Sequence, residues 1–86
     1  MEKKIEIGKI YRHFKGNYYF VENIGYYSEN SSPVVIYKPI YDREEKIWIR
    51  PLDMFLEEID INRKDNITGQ KYRFDLAEEL SKDYTK

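Results

Sequence analysis

The sequence predicts a small, mainly β (α+β) fold, either a strongly bent antiparallel sheet or an SH3-like barrel of about five strands, with a C-terminal helix. At 86 residues the chain has room for one domain and one core. Short runs rich in aromatic and β-branched residues alternate with turn signals over its first two-thirds, and helical spacing is clearest in the tail. We therefore expect one domain over residues 1–86, with a barrel-like core at 8–74 and a helix at 75–85.

The first two strands are predicted at Gly8–Phe14 and Tyr18–Tyr27. The segment 15–17 between them contains Gly and Asn, which tolerate positive φ and favour a tight turn. Alternation along the second strand defines two faces. The first face carries Tyr18, Phe20, Ile24 and Tyr26, and the second, which we expect to be wetter, carries Tyr19, Val21, Asn23 and Tyr27.

A polar loop at 28–33 leads to a third predicted strand, Val34–Tyr41, which is apolar on both faces and is therefore placed inside the sheet. Asp42–Lys46 is read as a charged turn. A fourth strand follows at Ile47–Arg50, with the two isoleucines on one face and Trp48 and Arg50 on the other.

Pro51 ends the fourth strand because proline cannot donate a ladder hydrogen bond. Leu52–Glu58 is predicted to form a helical turn that tucks Met54, Phe55 or Leu56 under the sheet. Ile59–Phe74 could hold a weaker fifth strand or hairpin, and its turn is marked by Asn66 and Gly69.

The C-terminal helix is predicted from Asp75, a candidate N-cap residue, with Glu78 three residues later. Leu76, Leu80 and Tyr84 fall at helical spacing and form one stripe. That stripe could pack on the barrel or form a homodimer contact with a second copy.

Composition argues against several classes of protein. Fifteen basic and sixteen acidic residues nearly cancel, whereas a non-specific nucleic-acid binder usually has a basic excess. The chain has no cysteine, no apolar run long enough to cross a membrane and no signal-peptide pattern, so we expect a cytoplasmic protein. His13 is the single histidine, and no serine lies in a nucleophile motif, so the sequence predicts neither an enzyme nor a metal or cofactor site.

Two segments carry the candidate functional residues. Residues 11–16 combine Arg12, His13 and Lys15 with aromatic side chains beside the tight turn, and the cations could meet phosphate or carboxylate. An edge strand protected by charge is an equally good explanation of this segment. In the second segment, Trp48 and Arg50 share a strand face, which suits a planar, anionic ligand. An Arg50 side chain that only braces the rim of the barrel is the alternative.

The pattern as a whole resembles one bacterial and phage family, the domain of unknown function 1653. The resemblance covers about 8–74 and is carried by the following residues: Gly8, Lys9, Tyr11–Asn17, Tyr19, Ser28, Glu29, Val35, Tyr37, Tyr41, Trp48, Arg50, Pro51, Met54, Phe55 and Gly69–Phe74. Tyr27 stands where the family pattern leads us to expect His. The resemblance implies a compact β domain, and it marks a candidate ligand-binding set: Tyr11, Arg12, His13, Lys15, Glu29, Tyr37, Tyr41, Trp48 and Arg50.

Three functions are compatible with these residues. The first is a non-catalytic domain that binds a small, nucleotide-like anion, for example a phage or bacterial protein that sequesters a nucleotide signal. The second is an SH3-like module that binds RNA or a protein partner through exposed aromatic side chains. The third, an enzyme, ranks last because no catalytic constellation can be assembled.

Overall fold

The computed structural model describes residues 4–41 and 46–83. Their short strands and helices follow the turn signals of the sequence. In chain order they are β1 (Ile10–His13), β2 (Tyr18–Tyr26), β3 (Pro33–Pro39), β4 (Trp48–Pro51), α1 (Leu52–Phe55), β5 (Phe74–Leu76) and α2 (Glu78–Asp83).

The five strands form one antiparallel sheet in the order β4-β3-β2-β1-β5. Strands β4 and β5 lie at opposite edges and do not pair with each other, so the sheet is open rather than closed into a barrel. The predicted fold class, a five-stranded antiparallel sheet with a C-terminal helix, is confirmed in its open form. The β1–β2 turn is also confirmed, since Gly16 has φ +109° and the His13 amide donates to the Asn17 carbonyl at 2.8 Å.

The main core cluster lies on one face of the sheet, where strand side chains meet α1 and the start of β5. Phe55 and Phe74 are almost fully buried and stack in parallel, with ring centroids 4.0 Å apart. Tyr11 and Tyr37 approach Phe55 edge-on, and Tyr37 does the same to Phe74. The prediction that α1 tucks Phe55 under the sheet is therefore confirmed, while Met54 stays 42% exposed.

The prediction that Tyr19 and Val21 lie on the wetter face of β2 is wrong, because both belong to the core side and Val21 is fully buried. The pairing of β2 with β3 shifts register between Val21 and Asn23, as at a β-bulge. Beyond this shift Ile24, instead of Asn23, packs against the core. Simple alternation fails because one inserted residue exchanges the two faces of a strand.

The predicted helix start at Asp75 is also wrong. Asp75 lies in β5 opposite Arg12, and α2 begins at Glu78. Burial of Phe74 in the core holds this segment extended alongside β1, which places Leu76 in a strand rather than on a helical stripe. Tyr84, the last residue of the predicted stripe, lies outside the described residues.

The weak strand or hairpin predicted at Ile59–Phe74 is present only as a short antiparallel pairing of the two ends of this segment, and the residues between them form a loop. The Ile59 amide donates to the Lys71 carbonyl at 2.8 Å and the Arg73 amide to the Glu57 carbonyl at 3.0 Å, on either side of a bridge between Glu58 and Tyr72. Asn66 organises the loop, since its amide nitrogen donates to the Gln70 carbonyl at 2.8 Å and its oxygen accepts from the Gly69 amide at 3.0 Å. The charged turn predicted at Asp42–Lys46 lies mostly outside the described residues.

Candidate ligand-binding cleft

Strand β4 presents Trp48 and Arg50 on the same face as Tyr37. In the ladder between β3 and β4, Trp48 lies opposite Tyr37 and Arg50 opposite Val35, and both of these β3 residues face the core. The intervening Ile49 is 66% exposed on the other face. The alternation predicted for this strand is thereby confirmed, and it directs an indole and a guanidinium toward the aromatic face of the sheet.

Two adjoining cavities open beside these side chains. The larger, of about 330 Å³, is lined by Asn17, Tyr18, Tyr19, Pro39, Tyr41 and Trp48. The smaller, of about 180 Å³, is lined by Tyr19, Tyr37, Trp48 and Arg50. Since Tyr19 and Trp48 line both cavities, we treat them as one feature, the aromatic cleft. It has an aromatic end at Tyr41 and a cationic end at Arg50.

Arg50 fixes the cationic end of the cleft. Its Nε donates a hydrogen bond to the Tyr37 hydroxyl at 3.1 Å, and its guanidinium carbon lies 5.7 Å from the centre of the Phe74 ring. Within 4–41 and 46–83, no carboxylate forms an ion pair with it, and its terminal nitrogens donate no hydrogen bond. A half-buried guanidinium held in place with its two outer nitrogens unused can accept an anion without breaking an existing contact.

His13 also packs edge-on against the Phe74 ring, with ring centroids 4.9 Å apart. It meets the Tyr19 ring edge-on as well, with centroids 6.3 Å apart. Burial lowers its pKa to about 4, and the positive charges of Arg50, Arg73, Lys15 and Arg63 add to this effect. The imidazole is therefore neutral at pH 7. Its Nδ1 accepts a hydrogen bond from the Lys15 amide at 3.1 Å, which places the ring proton on Nε2.

The other cations near His13 are already engaged by carboxylates. Arg73 Nε donates to Glu57 at 2.7 Å, and Arg63 binds both oxygens of Asp65 at 2.7 and 3.1 Å. Lys15 lies 3.8 Å from the same Asp65. Around His13, Arg50 is thus the cation that the described part of the chain leaves uncompensated.

The structure brings together part of the predicted binding set. Tyr37, Tyr41, Trp48 and Arg50 line the aromatic cleft, and His13 lies beside it through its contacts with Tyr19 and Phe74.

The remaining members lie elsewhere. Tyr11 is 1% exposed in the core, where its hydroxyl accepts the Glu6 amide and burial raises its pKa. Arg12 lies on the opposite face of β1, with Nε donating to the Gly16 carbonyl and its guanidinium over the Tyr18 ring. Lys15 is exposed in the β1–β2 turn, and Glu29 lies in the β2–β3 loop, at the end of β3 remote from Trp48.

The candidate set omitted Tyr19, which forms the centre of the cleft. Tyr19 lies opposite Tyr11 in the β1–β2 ladder and its ring is 5.4 Å from that of Tyr37. A signal for it was present, since Tyr19 belongs to the family pattern and alternates with Val21. Alternation assigns it to the wetter face together with Asn23, because the sequence does not show the bulge between Val21 and Asn23.

The described ranges contain neither a cluster of metal-ligand side chains nor a membrane-spanning helix. No cluster of three or more His, Cys, Asp or Glu side chains there could hold a metal ion. Neither helix in this part of the chain has the length and apolar character needed to cross a bilayer.

Comparison with known proteins agrees with the resemblance seen in the sequence. The family described as "Protein of unknown function (DUF1653)" matches residues 9–76. A crystal structure of a member of this family from Bordetella bronchiseptica is similar, with a TM-score of 0.65 and 28% sequence identity over 83% of this chain and 85% of that chain. No curated protein matches the chain. The chain belongs to the DUF1653 family, whose description gives no catalytic activity.

Proposed function

We propose that this protein is a non-catalytic binding domain whose aromatic cleft holds a small ligand with a planar ring and an anionic group, as in a nucleotide. The observation that carries the proposal is Arg50, a guanidinium fixed by Tyr37 with no carboxylate partner among the described residues, next to Trp48. An anion at Arg50 would gain charge-assisted hydrogen bonds while a ring stacks on the neighbouring indole.

The two cavities suit the two parts of such a ligand. The larger one is walled by tyrosines and Trp48, which offer flat faces for a base. The smaller one ends at Arg50, within reach of an anion on the same molecule. His13, which contacts Tyr19 and Phe74, is neutral and adds no negative charge near Arg50 that would repel the anion.

The test is calorimetric titration with ligands that contain one or both parts. A nucleoside monophosphate should bind, whereas the matching nucleoside and ribose 5-phosphate, each lacking one part, should bind more weakly by about tenfold or more. Cyclic dinucleotides and ADP-ribose belong in the same panel because they carry the same two chemical features.

Two variants and a matched control locate the site. Arg50→Ala should weaken the nucleotide by about tenfold or more, since a hydrogen bond to a charged group contributes roughly 1.5–3 kcal/mol. Trp48→Ala should weaken it by a similar factor through lost stacking, about 1–3 kcal/mol. Lys82→Ala removes one positive charge from α2, which lines neither cavity, and should leave the affinity unchanged. Nucleotide affinity that survives in both cleft variants contradicts the assignment.

One observation favours a second candidate, binding of a single RNA strand. Tyr41 is 74% exposed, so the aromatic end of the cleft opens onto the surface, where neighbouring bases could continue. Affinity for an oligonucleotide that falls steeply with salt and exceeds that of every mononucleotide would support this candidate. The near-neutral charge of the chain makes it the weaker of the two.

A further inference from the structure

Strand β4 is an edge of the sheet with apolar side chains in solvent. It pairs with β3 on one side, and no strand covers its other side in the described part of the chain. Ile47 is 63%, Trp48 46% and Ile49 66% exposed. Uncovered apolar edges of this kind promote pairing with another strand.

The backbone of β4 offers hydrogen-bonding groups to such a strand. The Ile40 amide donates to the Tyr18 carbonyl, and the Tyr27 amide donates to the Ser32 carbonyl, so the even-numbered positions of β3 and its extensions bond toward β2. The odd-numbered ones therefore bond toward β4, where Trp48 and Arg50 lie opposite Tyr37 and Val35. It follows that the amide and carbonyl groups of Ile47 and Ile49 point away from the sheet.

Pro51 fits the same geometry. By alternation its backbone also points away from β3. The N–H that proline lacks is therefore not needed for the hydrogen bonds between β4 and β3. It contributes a carbonyl but no N–H to the free edge, so the edge can pair over only a few residues.

We propose that β4 pairs antiparallel with β4 of a second copy, about a two-fold axis that passes through Ile49. The two Ile49 residues would exchange both backbone hydrogen bonds, and each Ile47 amide would donate to the Pro51 carbonyl of the other copy. An interface of this kind uses the same patch on both chains.

Charge complementarity favours this register over the registers centred on Trp48 or Arg50. With the axis at Ile49, each Trp48 faces Arg50 of the other copy, a pair that gains from cation–π attraction. Centring the axis on Arg50 would set two guanidinium groups against each other. Centring it on Trp48 would set Arg50 against Lys46 of the other copy. Like charges directly opposite are destabilising, so only the Ile49 register has complementary partners on the cleft face.

The pairing also bears on the aromatic cleft, although it does not depend on any ligand. Trp48 and Arg50 are the β4 residues of the cleft. In the dimer Arg50 of the second copy would lie beside Trp48 and place a second guanidinium at the cleft wall. An 86-residue chain would thus enclose more of a ligand as two copies than as one.

Ile49 is the residue to change because its side chain lies on the face opposite the cleft. Mass measured by analytical ultracentrifugation over a concentration series, without ligand, should approach that of two chains for the wild type. Ile49→Lys and Ile49→Asp each place like charges against each other at the axis, and each should weaken dimerisation by about tenfold or more. An equimolar mixture of the two variants should recover the dimer. Ile61→Lys, the same change at an isoleucine that is 54% exposed in the 59–73 loop, is the matched control and should stay dimeric.

Three results would overturn the proposal. The first is a wild type that remains a single chain at millimolar concentration. The second is Ile49 variants that dimerise as tightly as the wild type, which would place the interface elsewhere, for example on α2. The third is a mixture of Lys and Asp variants that stays monomeric while both circular dichroism spectra match the wild type. Each result is independent of nucleotide binding, so the two proposals can fail separately.

Discussion

At the scale of single residues, Arg50 and His13 contact the same Phe74 ring, but one side chain is charged and the other is neutral. Arg50 stays cationic beside Tyr37, whereas His13 is neutral because burial and four neighbouring cations lower its pKa to about 4. The positive charge at the cleft end is therefore that of Arg50, and His13 beside it is uncharged. Anion binding as proposed should then not depend on protonation of the imidazole.

The lowered pKa of His13 predicts a specific loss of stability in acid. An unfolded histidine titrates near its ordinary pKa of about 6.5, so between there and about pH 4 the unfolded chain binds a proton that the folded chain does not. The stability contributed by this group is complete above about pH 6.5 and falls as the pH drops toward 4. The loss is roughly 1–3 kcal/mol, reduced from its upper limit because His13 is only half-buried.

Urea unfolding followed by the fluorescence of Trp48, the single tryptophan, measures this loss at pH 7 and pH 4.5. His13→Gln keeps every carboxylate and removes only the imidazole. The free energy of unfolding of the wild type should therefore fall further between the two pH values than that of the variant. Parallel losses in both proteins would show that His13 does not have a lowered pKa.

At the scale of secondary-structure elements, α2 is too short to be stable alone, and the Ser81 side chain anchors it to β1. Its six residues are far below the length at which an isolated helix forms in water. The Ser81 hydroxyl accepts the Ile10 amide of β1 at 2.8 Å and donates to the Ala77 carbonyl at 2.8 Å. A single serine thus connects α2 to the strand on which it packs.

Replacing Ser81 should lower the free energy of unfolding, although much of α2 is exposed to solvent. Ser81→Ala leaves the amide of the buried Ile10 without its partner, and the expected loss is about 1–3 kcal/mol of unfolding free energy. Lys82→Ala, at the next position, removes only an exposed ion pair with Glu79 and should change stability by less than about 0.5 kcal/mol. Chemical denaturation of the three proteins checks the prediction, and equal stability of Ser81→Ala and wild type would contradict it.

The elements that sequence reasoning placed correctly are those with strong local signals. Gly16 in the first turn, Pro51 at the end of β4 and the buried Phe55 each follow from local conformational or hydrophobic preferences. The errors lie where contacts between residues far apart in the sequence determine the local structure. Asp75 has the residue type of an N-cap, but pairing with β1 and burial of Phe74 make it a strand residue. The bulge after Val21 has no signal in the sequence, so alternation places Tyr19 and Val21 on the wrong face, while Ile24 lies on the expected one.

At the scale of the whole molecule, the cleft is assembled from three strands and a turn. Asn17 comes from the β1–β2 turn, Tyr19 from β2, Tyr37 from β3 and Trp48 from β4. The pairing of Trp48 with Arg50 on one face was predictable from alternation. Arg63 pairs with Asp65, two residues away in the sequence. The Arg73–Glu57 pair and the lack of a carboxylate partner for Arg50 among the described residues depend on the fold and were not predictable.

The residues of the family pattern extend beyond the aromatic cleft. A pattern of recurring residues mixes groups needed for folding with groups free to bind a ligand. Tyr11 is in the first category, as a fully buried ring with its hydroxyl bonded to the Glu6 amide. Glu29 lies at the other end of the β2–β3 hairpin from the cleft. Only the fold separates such residues from the cleft residues Trp48 and Arg50.

The most direct test of the cleft is a two-dimensional ¹H–¹⁵N NMR titration with a nucleoside monophosphate. Trp48 gives the one indole N–H signal of the chain, and the Arg50 Nε–H reports the anion end. Binding in the cleft predicts saturable shifts of these two signals together with the backbone amide of Tyr19, and little change at the backbone amides of Glu29 and Lys82. Unmoved Trp48 and Arg50 signals at millimolar nucleotide, across the panel, would contradict the proposed function, as would shifts confined to another face.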